Sequence, residues 1–173
     1  MKPPGGKGET MKCFVGYVTK TGTTMEIAQR IGGVLSSRGI EAEAAAITVD
    51  RDLRAYDRLV FGCPINGMKV LPDFATYLGA YAAKAGKPVD LFIVSYMFEH
   101  GRSMWKKAIR SEAERVKALA GAGTAEIFGG KIAGALPGFA RFIFGVPGDL
   151  PADIRDWEKI DRWANSLADS MLA

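Results

Sequence analysis

One histidine, His100, and two cysteines, Cys13 and Cys63, are all this sequence offers of the side chains that favour soft metals. The cysteines lie too far apart for a zinc knuckle or a CxxC redox pair, and His100 has no neighbours to complete a ligand set, so a metalloenzyme is not expected. Cys13 opens a strand pattern and reads as a small buried hydrophobe. Cys63 stands where a strand meets a loop, which leaves open a partly exposed thiol with a redox role. No apolar run approaches the roughly 18 residues of a membrane span. No cationic run with interleaved aromatics appears, which argues against a dedicated nucleic-acid surface. Residues 1–10 (MKPPGGKGET) lack the apolar stretch of a signal peptide. They are set aside as a flexible leader before a domain expected over residues 11–173, with the cytoplasm as the expected compartment.

What is present is an ordinary globular balance: 173 residues, 48% hydrophobic and 24% charged. Lysine and arginine outnumber aspartate and glutamate 23 to 19, a formal net charge of +4. Such mild basicity suits an anionic membrane surface or an anionic substrate.

Short apolar runs alternate with helical periodicity. Residues 12–18 (KCFVGYV) read as a strand, and residues 23–38 as a helix with Ile27, Ile31, Val34 and Leu35 on one face and Gly39 as its stop. A second strand, 40–47, is rich in alanine and is assigned because the alternation needs one there. Residues 58–63 (RLVFGC) form a third, followed by a helix with Pro72 in its first turn and Phe74, Leu78 and Tyr81 inward. Residues 89–95 (VDLFIVS) form the fourth. Ser103 is expected to cap a helix with Trp105, Ile109, Val116 and Leu119 on one face, ended by Gly121. Residues 125–132 supply the fifth strand, and 157–172 a final helix with Trp157, Ile160, Trp163, Ala164 and Leu167 inward. Strands joined by crossover helices require a parallel sheet, here an α/β, three-layer, doubly wound fold of five strands in the order 2-1-3-4-5. Ligands of such sheets bind beyond the carboxyl ends of the strands, where the winding reverses.

The loop after strand one reads Thr19-Lys20-Thr21-Gly22-Thr23-Thr24, directly before a helix. A phosphate placed there meets free backbone N–H groups, the positive end of the helix dipole and up to four hydroxyls. Thr23 with Glu26 also spells a capping box, which accounts for one threonine but not for the set. Other nucleotide motifs fail: there is no GxxxxGK[ST], and the first turn lacks GxGxxG. A response-regulator receiver shares the strand order but needs acidic residues where this chain has Val18-Thr19-Lys20.

This hexapeptide resembles the flavodoxin phosphate loop, Ser/Thr-x-Thr-Gly-x-Thr, at every specified position, and the likeness runs from Lys12 to the C-terminus. Phe61-Gly62-Cys63-Pro64-Ile65 resembles the Gly-x-Pro-Ile turn of one flavodoxin branch. Asp156-Trp157-Glu158 with Trp163-Ala164 resembles that branch's closing helix. The branch includes the menaquinone-dependent protoporphyrinogen dehydrogenases.

The resemblance implies a flavodoxin-like fold holding flavin mononucleotide (FMN), its phosphate at Thr19, Lys20, Thr21, Gly22, Thr23 and Thr24. The flavin ring would rest between Pro64, Ile65, Asn66, Gly67 and Met68 on one side and Ser95, Tyr96, Met97 and Phe98 on the other. Gly67 would turn its peptide toward the ring when the flavin is reduced. The first ring loop (PINGMK) lacks the usual stacking aromatic, which leaves Tyr96 and Phe98 to supply it. Lys69 and Arg102 stand in the ring loops against Glu99 alone, and a nearby cation makes the flavin's potential less negative. Residues 134–148 (GALPGFARFIFGVPG) read either as a membrane- or quinone-facing patch centred on 139–146 or as a segment packed on the sheet. The expected activity is an FMN-dependent oxidoreductase passing electrons from a reduced substrate to a quinone or similar acceptor. The alternative is a non-catalytic electron carrier serving a partner redox enzyme.

Overall fold

Alternating apolar residues that point to both faces of a sheet organise this chain. In a computed structural model that describes residues 10–173, β1 (Lys12–Tyr17) lies between β2 (Glu41–Ala46) and β3 (Arg58–Asn66), and β3 pairs in turn with β5 (Val89–Val94), which pairs with β6 (Thr124–Phe128). All four pairings are parallel, so these strands take the expected 2-1-3-4-5 order. A sixth strand, β4 (Lys69–Val70), folds back antiparallel on the end of β3. Except for Thr10, the expected leader lies outside the described residues.

The central strands are buried on both faces, as the crossover topology demands. On one face Phe14, Phe61, Leu91 and Ile93 pack with Phe74 and Leu78 of the α2 region (Pro72–Tyr77, continuing as a π-helical turn to Ala82) and with Ile109 and Val116 of α3 (Ser103–Ala120). On the other, Val15, Val60, Phe92 and Phe128 meet Ile27, Ile31 and Leu35 of α1 (Thr23–Ser37) and Ile160, Ala164 and Leu167 of α5 (Trp157–Leu172). Among the described residues no helix is long and apolar enough to cross a membrane.

Several sequence expectations need correction. The fifth crossover strand stops at Phe128, level with Val94, rather than at 132, because the chain then changes partner. Gly130 accepts from the Ile154 amide (3.1 Å), and the Ile132 amide donates to Ala152 (2.9 Å), so residues 129–132 form a narrow ribbon with 151–155. The excursion between them carries α4 (Gly138–Phe144). Tyr81 is 40% exposed and Tyr77 takes the inward place. The π-helical turn at Leu78–Ala82 adds a residue to one turn and rotates the following side chains off the expected face. Leu119 and Trp157 also face outward, Ala120 filling the core in place of the former and Arg155 covering the ring of the latter. Ser103 is the first helical residue of α3 and caps nothing; Arg102 holds the N-cap position. Cys63 is fully buried within β3, its thiol turned to the carbonyl of the adjoining Pro64, and burial pushes its pKa up to about 12. That environment is the opposite of what a reactive thiol needs.

At the amino end of the strands a buried ion pair ties the sheet together. Asp90, fully buried, accepts from Arg58 Nε (2.8 Å) and from the Thr124 hydroxyl (2.8 Å), so β3, β5 and β6 start in register. This pair lies at the edge of the sheet opposite the loops that carry the site.

Candidate functional site

The turn from β1 into α1 is built by Gly22, whose left-handed backbone (φ +87°) would strain any side chain. Its amide donates to Thr19 Oγ1 (2.9 Å), and its carbonyl accepts the Glu26 amide (3.0 Å). Gly22 therefore occupies the N-cap position, and the expected Thr23–Glu26 capping box does not form. Thr23 becomes the first helical residue and its hydroxyl reaches the Lys131 carbonyl, while the Glu26 carboxylate pairs with Arg155. Helix geometry leaves the first amides of α1 without intrahelical acceptors. Among the described residues, the helix amides of Thr23 and Thr24 and the loop amide of Thr21 find no acceptor. The Thr24 hydroxyl, on a residue 1% exposed, is also without a partner.

This loop forms one wall of a hollow of about 460 Å³. Thr19, Lys20, Thr21, Thr23 and Thr24 line it from the first loop, and Pro64, Ile65 and Asn66 from the end of β3. Tyr96 lines it beyond β5, and residues 130–137 close the far side. Among the described residues its walls carry two cations, Lys20 and Lys131, and no carboxylate. Unfilled amides, an unpartnered buried hydroxyl and two ammonium groups make this end a receptor for an anion rich in acceptor oxygens. A phosphate monoester fits that donor set.

A second hollow of about 210 Å³ adjoins it, sharing Ile65, Asn66, Tyr96, Ile132 and Leu136. Gly67, Met68, Ser95, Met97 and Phe144 complete its lining, so its surface is chiefly apolar. A two-residue reversal joins β3 to β4, with Gly67 (φ +59°) and Met68 (φ +65°) both left-handed, the pattern of a type I′ hairpin turn. Tyr96 stands where the hollows meet, donating its hydroxyl to the Pro151 carbonyl (2.6 Å), and burial raises the phenol above its usual range.

The structure thus brings together all the residues singled out from the sequence but two. Gly22 shapes the first loop without lining either hollow. Phe98 faces elsewhere: it packs on the α2–α3 core with the Arg110 guanidinium over its ring (5.3 Å). The two cations of the ring loops have partners of their own. Lys69 lies 3.8 Å from the Glu112 carboxylate, and Arg102 donates to the Phe142 carbonyl (2.7 Å). The counter-charge of Lys69 is Glu112, while the Glu99 carboxylate lies 3.8 Å from Lys159 instead. The sequence reading missed residues 130–133 and with them Lys131. Gly129-Gly130 was the available signal, because paired glycines at the end of a strand mark a bend and close backbone packing.

Residues 14–140 match a family model described as flavodoxin domain. No curated protein matches the chain significantly. Among solved structures, flavodoxin 2 of Bacillus cereus superposes with a TM-score of 0.61 at 20% identity, over 92% of this chain and 99% of that one. The flavodoxin of Streptococcus pneumoniae TIGR4 gives 0.59 at 21% identity, again over 92% and 99%. A mutant flavodoxin of Fusobacterium nucleatum bound to flavin mononucleotide gives 0.50 at 17%, over 69% of each chain. At these identities the likeness is one of fold.

Proposed function

This chain belongs to the flavodoxin domain family, and from that premise we propose that it binds FMN across the two joined hollows and acts as a redox protein. The observation that carries the reading is the Thr24 hydroxyl, buried without a partner beside free helix amides, in a wall with two lysines and no carboxylate. Thr19, Thr21, Thr23 and Thr24, with Lys20 and Lys131, hold the phosphate. Ile65, Asn66, Gly67, Met68, Tyr96 and Met97 flank the flavin ring. When bound, FMN supplies the electron-transfer chemistry, so the protein needs no acid–base pair and its task is to orient and tune the cofactor. Titrating FMN-free protein with FMN and following flavin fluorescence tests this: stoichiometric quenching supports the reading, and no binding at micromolar FMN overturns it. Preference for FAD would overturn the assignment of a mononucleotide.

For the reaction, we infer an oxidoreductase that takes electrons from a reduced substrate of the porphyrinogen kind and passes them to a quinone. Phe139 (71% exposed), Phe142 (75%) and Ile143 (49%) on α4 support this, because they form an apolar surface next to the ring hollow, which Phe144 lines from within. A lipid-soluble acceptor is met at a membrane, and apolar side chains on a net basic protein favour reversible contact with anionic lipid. The second reading, an electron carrier for a partner enzyme, is supported by the flavodoxins among its structural relatives. Substrate-driven quinone reduction by the purified holoprotein separates the two. Turnover supports the enzyme; reduction only in the presence of a partner reductase supports the carrier.

A further inference from the structure

Glu112 is a carboxylate where the pattern of α3 calls for an apolar side chain. It lies on the face that buries Ile109, Ala113 and Val116 and is itself 4% exposed. Burying a carboxylate is unfavourable unless its oxygens are filled, and a well-packed hydrophobe in its place is often no less stable. Its oxygens are filled by Arg115 (2.7 and 2.8 Å) and by the backbone amide of Val70 (3.1 Å), with Lys69 at 3.8 Å. Arg115 alone would have satisfied the charge. The Val70 bond is the informative one, because β4 is an edge strand of two residues whose outward amide has no neighbouring strand to accept it.

The tie reaches the ring hollow directly. Val70 and Lys69 pair with Ile65 and Asn66. Between those pairs stand Gly67 and Met68, both with positive φ, and Met68 is the only such residue carrying a side chain among the described residues. A left-handed residue with a Cβ persists where the surrounding structure holds it. Val70 and Met68 pack on the core beneath, and α3 adds a polar hold through one carboxylate onto the short strand that closes the turn. Met68 and Gly67 line the second hollow, so whatever fixes the turn fixes that wall.

We propose that Glu112 is a positioning residue for the ring-side turn: by capturing the Val70 amide it holds Gly67–Met68 in place and so sets the balance between the oxidised and reduced forms of the bound flavin. The part concerning the flavin rests on the FMN reading above; the tether does not.

Two variants isolate the tie. Glu112→Gln and Glu112→Leu lose the same charge and keep similar volume, but only Gln retains an oxygen for the Val70 amide. Hydrogen exchange of the FMN-free protein should show the Val70 amide at least tenfold faster in Glu112→Leu than in Glu112→Gln. With FMN bound, the ratio of affinities for reduced and oxidised flavin should differ at least tenfold between the variants, about 30 mV for a two-electron couple. A purely structural role would lower the melting temperature of the Leu variant and leave that ratio unmoved. Equal Val70 exchange in the two variants overturns the tether. Faster exchange with an unchanged ratio overturns its role in tuning. If the wild type takes up no FMN, the functional reading fails and the tuning with it, while the exchange data still decide the tether. Should Glu112→Leu not fold, Glu112→Ala replaces it in both measurements.

Discussion

The hydroxyl of Thr23 and the carbonyl of Lys131, 108 positions apart, meet at 3.4 Å and join the first turn of α1 to the far wall of the hollow. Through that contact the two lysine-bearing walls, with Lys20 on one and Lys131 on the other, are held facing a common space. Its geometry makes the phosphate reading testable one side chain at a time.

Thr24→Val should separate binding from stability. The hydroxyl has no partner in the chain, so its loss leaves the melting temperature of the FMN-free protein unchanged or slightly raised. FMN affinity should fall by roughly tenfold or more, as expected for a lost hydrogen bond to a charged group worth about 1.5–3 kcal/mol. Fluorescence titration beside thermal melts reads both quantities.

Thr21→Asp introduces a carboxylate into a wall that has none. Facing a phosphate dianion at a few ångströms, it should abolish FMN binding at micromolar concentration, while free riboflavin, which lacks the phosphate, loses far less. Equal losses for both ligands would place the phosphate elsewhere.

On α4 the exposed rings and the packed one should behave differently. Phe139→Ser with Phe142→Ser should cut binding to vesicles containing anionic lipid severalfold without lowering stability or FMN affinity. Phe144 packs edge-on against Trp105 (5.4 Å) and belongs to the fold, so Phe144→Ser should lower the melting temperature. Sedimentation with vesicles and thermal melts distinguish these outcomes.

The cysteines give a pH test. Burial holds the Cys63 thiol neutral in the native state, with its pKa pushed up to about 12, whereas the unfolded thiol ionises near 8.5. A pKa raised on folding means that stability is fully present below about pH 8.5 and declines as pH rises toward 12. Urea unfolding at pH 7 and pH 10 should show this decline in the wild type and less of it in Cys63→Ala. Native protein at pH 8 should leave both thiols unmodified by a thiol reagent, and urea should release both.

At the opposite end of the sheet, Asp90→Ala strands Arg58 and should cost about 3–5 kcal/mol of stability, measured by denaturant unfolding. FMN affinity of the protein that remains folded should be unchanged, since the pair touches neither hollow.

The sequence made the sheet legible because its signals are local. Val60, Phe61, Phe92 and Ile93 alternate between two cores within single strands, and the threonine loop sits in one turn. It was silent where a residue's place depends on a distant partner. Gly129-Gly130 marks a bend, but nothing near Ile132 announces that its amide will meet Ala152, and apolar pattern alone extends the fifth strand too far. Periodicity counts 3.6 residues per turn and has no means of foreseeing the π-helical turn in which Tyr81 faces outward. Lys69 and Phe98 stand in the ring loops, yet their side chains meet partners on α3, Glu112 and Arg110, that lie more than ten residues away in sequence.

The ribbon between residues 129–132 and 151–155 brings the two ends of the α4 excursion side by side before the chain leaves the sheet. To the strands beneath, that excursion is a closed bracket whose contents do not affect their register. Its outward part tolerates lengthening, since doubling the length of a flexible loop costs only about 0.6 kcal/mol in closure entropy, whereas Phe144, packed on Trp105, stays fixed. One excursion thus divides its labour: Leu136 and Phe144 belong to the walls of the hollows, while Phe139, Phe142 and Ile143 face outward. Exchanging the outward side chains alone would alter that surface while the walls facing Thr19, Thr21 and Thr24 stayed in place.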